Sequence, residues 1–110
     1  MDEESVQTSF EIIAMSGEAR SKAYEALGSA KEGDFEVASS LLGEAQSALD
    51  KAHNIQTSLI TRAARGESMT LDILLVHSQD HLMTSILALE LIQELMELYR
   101  LRAEDRKETA

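Results

Sequence analysis

The stretch from Leu82 to Arg100 reads LMTSILALELIQELMELYR, and it decides the fold class. Leu82, Ile86, Leu89, Ile92, Met96 and Tyr99 recur at steps of three and four, the period of an α-helix. Leu87, Leu91, Leu95 and Leu98 form a second apolar row, and Glu90, Glu94, Glu97 and Arg100 form one narrow polar stripe. A helix with two apolar rows needs cover on two sides. Positions 82, 89 and 96 interleave with 85, 92 and 99 as a heptad, so this row is expected to meet a second chain. Working outward, the helix is expected from about Thr70 to Lys107. Ser68 or Thr70 is its candidate cap, and Ala103 to Ala110 should fray.

Two breaks precede it, Glu32-Gly33-Asp34 and Arg65-Gly66-Glu67-Ser68. The first segment carries Phe10, Ile13, Ala14, Ala19, Ala23, Leu27 and Ala30 at near-helical spacing. Gly17 lies inside that pattern. It costs about 1 kcal/mol against Ala unless a neighbouring helix comes close there. The second segment repeats the period through Phe35, Ala38, Leu41, Leu42, Ala45, Leu49, Ala52, Ile55 and Leu59. Gly33 is placed to end one helix and Asp34 to cap the next. Short links make successive helices antiparallel. The expected architecture is all-α: one domain over 1–110, an up-down-up three-helix bundle with helices at about 5–32, 34–64 and 70–107. It should associate through helix three.

Composition narrows the functions. With 110 residues the chain is one domain or one subunit's share of a larger core. There is no Cys, which removes disulfides, thiol nucleophiles and thiolate metal sites. The absence of Pro and the scarcity of Gly disfavour β-sandwiches and barrels. The net charge of −10 disfavours nucleic acid and anionic membranes as partners. No apolar run approaches the roughly 18 residues of a membrane span. An acidic start, Met1-Asp2-Glu3-Glu4, is unlike a signal peptide, so a cytoplasmic location is expected.

Chemistry concentrates in Val76-His77-Ser78-Gln79-Asp80-His81-Leu82-Met83-Thr84. His77 and His81 share a helical face at i and i+4, with Asp80 between them. Polar groups inside an apolar run are costly unless satisfied or useful. Four readings stand open on residue chemistry alone. The cluster could fix register between helices. It could bind a metal, although His53 is the only other histidine and carboxylates from afar would be needed. A histidine could act as a general base, although no nucleophile or oxyanion device accompanies it. Finally, an imidazole nitrogen could carry a phosphoryl group between two partners, which needs exposure and little else. His53 itself reads as a packed or half-exposed helix residue, and the Met residues as core fillers or chain ends.

Three stretches together resemble a known family. They are Ser16 to Leu27, Ala30 to Phe35 continuing at Ala52 to Thr57, and Val76 to Ser85. The likeness is to the IIA component of the lactose/cellobiose (N,N'-diacetylchitobiose) class of the bacterial phosphoenolpyruvate-dependent sugar phosphotransferase system. The resemblance implies a homotrimer whose coiled-coil-like core is helix three. It implies a phosphotransferase component in which His77 takes a phosphoryl group from phospho-HPr. A cysteine of the cognate IIB component then receives it during uptake of a β-linked disaccharide. It makes Asp80 the residue that meets its symmetry mates around a divalent cation, Mg2+ or similar, in a structural role. Gln79, His81 and Ser78 become supporting candidates, and Leu82, Thr84 and segment one the rim of a docking surface. The family pattern usually has Ala where this chain has Ser78, which adds a hydroxyl near the phosphoryl site. His77 is expected about two turns past the helix start, out of reach of its free N–H groups. The competing reading is a non-catalytic helical interaction module with a His-Asp-His metal or register staple. The turn at Gly33-Asp34-Phe35, similar to that between tetratricopeptide helices, motivates it, although such repeats need tandem copies.

Overall fold

The structure, a computed structural model, describes residues 3–109. Its elements are α1 (Glu3–Lys31), α2 (Phe35–Ala64) and α3 (Ile73–Thr109), with no strand among the described residues. The all-α three-helix architecture expected from the periodicities is present.

Both breaks are built alike. Gly33 and Gly66 adopt φ of +86° and +83°, a region where a Cβ crowds the backbone. At the first, Gly33 N–H donates to the Ala30 carbonyl at 3.0 Å and Asp34 N–H to the Ser29 carbonyl at 2.9 Å. At the second, Gly66 N–H reaches the Ala63 carbonyl at 3.1 Å and Glu67 N–H the Arg62 carbonyl at 3.2 Å. This paired closure satisfies carbonyls that a helix end leaves open. Asp34 then caps α2, its Oδ1 accepting the Val37 N–H at 3.2 Å.

The start of α3 differs from expectation. Neither Ser68 nor Thr70 caps it. Asp72 does, with Oδ1 accepting the Leu75 N–H at 2.9 Å. An ionised carboxylate adds a charge–dipole attraction that a hydroxyl lacks. At the far end the helix extends two residues past the expected Lys107, to Thr109. Arg100 pairs with both Glu97 and Glu104 across successive turns, and Arg106 and Lys107 suit the negative helix end. Ala110 lies outside the described residues.

Helix α1 packs along its length on both partners, while α2 and α3 touch each other far less. The start of α1, at Glu4 and Thr8, lies near Leu75 at the start of α3, and its end, at Lys31, lies near Arg102. The two helices therefore run parallel. Between α1 and α2 the seam is alanine-rich: Ala19, Ala23, Ala26 and Ala30 face Ala38, Ala45, Ala48 and Ala52, all buried. Methyl groups let helix axes approach toward the lower end of the usual spacing, about 8 Å. Ile12, Leu27, Leu49, Leu82, Leu89 and Ile92 supply the bulk of the core. Each fully buried side chain of this size contributes about 1.5–3 kcal/mol. The seam between α1 and α3 includes the fully buried Ser9, Ser16, Ser78 and Ser85, with Ser85 Oγ donating to the Ser16 carbonyl at 3.1 Å.

Two packing expectations are corrected. The heptad row assigned to a second chain is covered within this one: Leu82, Ser85, Leu89 and Ile92 are buried, and Met96 and Tyr99 pack on the same core. The small residues of α1 accept that row directly. The uncovered apolar row is the other one, Leu87, Leu91, Leu95 and Leu98, each exposed, together with Val76, Met83 and Leu101. Gly17 is not a close-approach point inside the chain, since a Cβ there would meet nothing within 4 Å.

Candidate functional site

The corrected start of α3 moves the histidines closer to its beginning. His77 is the fifth residue of the helix, in its second turn. The nearest backbone donors are already committed: Leu75 N–H to the Asp72 carboxylate and Val76 N–H to the Asp72 carbonyl at 3.1 Å. The capping carboxylate also repels an incoming anion from the helix start. Anion binding at His77 therefore falls to side chains.

His77 and His81 meet because four residues make nearly one turn. Their Nε2 atoms are 3.1 Å apart, and the rings stand nearly perpendicular, at 88° with centroids 4.6 Å apart. His77 is exposed and His81 half-buried. The Nδ1 atom of His81 is buried and has no hydrogen-bond partner among the described residues.

The other proposed site residues separate into inward and outward groups. Ser78 is fully buried, and its Oγ donates to the Leu75 carbonyl at 2.6 Å. The hydroxyl that distinguishes this chain from the usual family pattern thus faces the core, because bonding back to the preceding turn satisfies it there. Gln79 turns toward α2, where its Oε1 accepts the Gln56 amide. Its own amide makes a long 3.4 Å contact with Ser78 Oγ. Gln56 is a site residue that sequence reasoning missed, since it sits one step off the apolar row at Ile55. Asp80 is exposed, in the same outward stripe as Val76, Met83 and Leu87. Thr84, also exposed, donates its hydroxyl to the Asp80 carbonyl at 2.8 Å, whereas Leu82 is buried and rims nothing. His53 is exposed on α2 and joins no metal-holding group. Among the described residues, no three His, Asp or Glu side chains converge as a metal site, so metal binding by the single chain is not supported.

Beside the histidines, Val76 and Gln79 form one wall of an open, mainly apolar groove of about 440 Å3, with Gln56, Leu59, Ile60, Met69 and Leu71 opposite and beneath. The groove is open, and the exposed His77 imidazole lies beside its Val76 wall.

Residues 7–100 match the family model described as PTS system, lactose/cellobiose specific IIA subunit. The chain belongs to that family. It is 47% identical over 98 residues to the lactose-specific EIIA component of Lactococcus lactis subsp. lactis, covering 89% of this chain and 93% of the relative. The lactose-specific EIIA component of Staphylococcus aureus (strain N315) is 44% identical over 101 residues, 91% and 98% of the two chains. Among solved structures, the cellobiose-specific enzyme IIA from Bacillus anthracis superposes with a TM-score of 0.88 at 43% identity, over 94% of this chain and 95% of that one. The chitobiose IIA protein solved in complex with HPr superposes with a TM-score of 0.82 at 44% identity, over 93% and 99%. As a IIA-family chain, this protein is a phosphotransferase-system component, and no helix among its described residues is long and apolar enough to cross a membrane.

Proposed function

We propose that this chain is a phosphoryl carrier in which His77 accepts the group from phospho-HPr and passes it to a cysteine of a cognate IIB component, in the cytoplasm, during uptake of a β-linked disaccharide. The observation that carries the reading is the exposed His77 ring, with His81 Nε2 at 3.1 Å from its Nε2, in a chain of the IIA family. A relative solved with HPr bound supports the donor. The family assignment also displaces the reading as a non-catalytic module with a metal staple.

The chemistry follows from exposure. The His77 lone pair attacks phosphorus in line, and the bond to the donor nitrogen breaks with its electron pair returning to the donor ring. The groove beside Val76 and Gln79 offers apolar surface against which a partner can exclude water. Because the transferred group carries its charge on peripheral oxygens, positioning and hydrogen-bond donors contribute most of what the protein can add.

The exposed row of α3 supports a further part of the proposal, assembly as a homotrimer through that face. Asp80 lies in the row, exposed, and joins none of the ion pairs among the described residues. Three copies brought together cannot all stay ionised without a cation or a proton. Their hard oxygen donors fit Mg2+ or a similar ion, which would hold subunits together and take no part in transfer.

Incubation with phosphoenolpyruvate, enzyme I and HPr, followed by intact-mass measurement, tests the carrier. The expected result is one acid-labile phosphoryl group per chain, absent from His77→Ala with its helical content unchanged. Full phosphorylation of His77→Ala would overturn the assignment.

A further inference from the structure

We infer that the end of the bundle remote from His77 is a binding site for a small sugar phosphate, built by Lys31, Arg102 and Arg106 around a cavity walled by Phe35 and Tyr99. The site does not depend on the carrier reading. Arg102 lies 25 residues beyond His77 on the same helix, a separation of about 37 Å.

The fold brings the three cations together. Because α1 and α3 run parallel, Lys31 at the end of α1 comes to the level of Arg102 and Arg106, which are one turn apart on α3. The cavity between them measures about 260 Å3, and its only other charged lining residue is Glu32. Three cations against one carboxylate reverse the sign of a chain whose net charge is −10. Residues 30–36 and 99–107 together hold five basic and five acidic side chains, so the whole negative excess lies elsewhere in the chain. The helix dipoles account for Lys31 and Arg106, each in the last turn of its helix. They do not account for Arg102, which stands two turns before the end of α3. Lys31 and Arg102 join none of the ion pairs among the described residues. Like charges gathered on one cavity repel, and an anion placed between them relieves that repulsion.

The lining selects the anion. Guanidinium groups present paired N–H donors that match phosphate oxygens, and a phosphate dianion balances the net charge of the lining. The cavity is larger than a bare oxyanion requires and smaller than the roughly 300 Å3 at which sites for drug-sized ligands begin. Phe35 and Tyr99, each half-buried, add ring surface, and Glu32 can accept from hydroxyls. Cations for the phosphate, flat surface for a ring and an acceptor for hydroxyls together fit a sugar phosphate. An anionic membrane fits less well, because the rest of the chain would be repelled from it. Arg102, Ala103 and Arg106 lie beyond residue 100, where the family match ends, so this chain's own extension of α3 supplies half the cavity. None of the exposed leucines of α3 lines it, so it does not compete with the face proposed for assembly.

The test is a proton–nitrogen NMR titration of the 15N-labelled full chain with glucose 6-phosphate, with inorganic phosphate and glucose as separate arms. Saturable shifts are expected at residues 30–35 and 99–106 with glucose 6-phosphate, weaker binding with inorganic phosphate, and none with glucose. Arg102→Gln, and separately Lys31→Gln, should weaken binding by about tenfold, the worth of one hydrogen bond to a charged group. Both variants should keep their helical content and the phosphorylation of His77. No saturable shift at these residues with millimolar glucose 6-phosphate overturns the inference. Equal binding of inorganic phosphate overturns it too, since the cavity would then hold a bare anion, and so does undiminished binding in both variants. Co-sedimentation with phosphatidylglycerol vesicles that Arg102→Gln abolishes would assign the cations to a membrane instead. The titration needs no phosphoryl donor, so the site and the carrier reading can each fail while the other stands.

Discussion

Helix α3 has two apolar faces of similar composition and opposite fate. Leu82, Leu89 and Ile92 are buried against α1, whereas Met83, Leu87, Leu91 and Leu98 stand more than half exposed. Composition does not distinguish them, and neither does spacing, since both rows follow the helical period. What differs is the neighbour. The first row meets the small side chains of α1, which leave room for leucine. The second is left exposed, because α1 packs on the inner row and α2 touches α3 far less than α1 does. A row of exposed leucines this long is uncommon on a protein that works alone. The contrast teaches that one face of α3 builds the three-helix bundle, while the other is left without cover by the chain's own helices.

The largest effect should come from charging the uncovered face. Leu87→Glu combined with Leu91→Glu puts two carboxylates where the proposed trimer packs. Sedimentation equilibrium should find the wild type as a trimer and the double variant as a monomer, with helical circular dichroism retained. A double variant that still sediments as a trimer would show that the exposed row is not the interface. The next effect comes from hollowing the inner face. Leu82 is wholly buried, and Leu82→Ala should destabilise the fold by about 2–5 kcal/mol, as for other buried leucines. Measured by urea unfolding in the monomeric Leu87→Glu/Leu91→Glu background, this loss should far exceed that of Leu98→Ala, where surface changes stay within about 0.5 kcal/mol. Equal losses at both positions would break the distinction between the two faces.

This pair of faces also marks where the sequence was legible. Helix number, order and approximate extent followed from period and from Gly33, Asp34 and Gly66, because those signals are local. The choice of face was not legible. Residues 82, 85, 89 and 92 looked like an oligomer heptad, and only the tertiary placement of α1 showed that they serve the subunit. The same limit applied at the site. His77, Asp80 and His81 could be grouped from i, i+3 and i+4 spacing alone. The inward turn of Ser78 and the reach of Gln56 across to Gln79 depend on the packing of α2 against α3. The N-cap was misplaced for a different reason: Ser68, Thr70 and Asp72 all have suitable side chains within five residues, and local chemistry ranks them too closely.

The smallest effect should lie on the polar edge of the outward face. Arg100 holds Glu97 through both carboxylate oxygens, Nε to Oε2 at 3.1 Å and Nη2 to Oε1, and reaches Glu104 with Nη1. The hydrogen bonds from Arg100 keep the Glu97 carboxyl below its ordinary value of 4.5; desolvation opposes them, and the Arg100 charge adds to the lowering. A lowered folded value means that the unfolded chain takes up the proton first as pH falls. The contribution of the pair is therefore complete above the ordinary glutamate range and disappears as pH drops through the lowered folded value. Both side chains are open to water, where such pairs are screened and contribute little. Glu97→Gln in the same monomeric background should lower the thermal midpoint slightly at neutral pH, far less than Leu82→Ala does. The difference from its parent should shrink with added salt and vanish in acid. A loss that persists below the folded value would mean that Glu97 acts through packing and not through charge. The outward face would then contribute to subunit stability even without a partner.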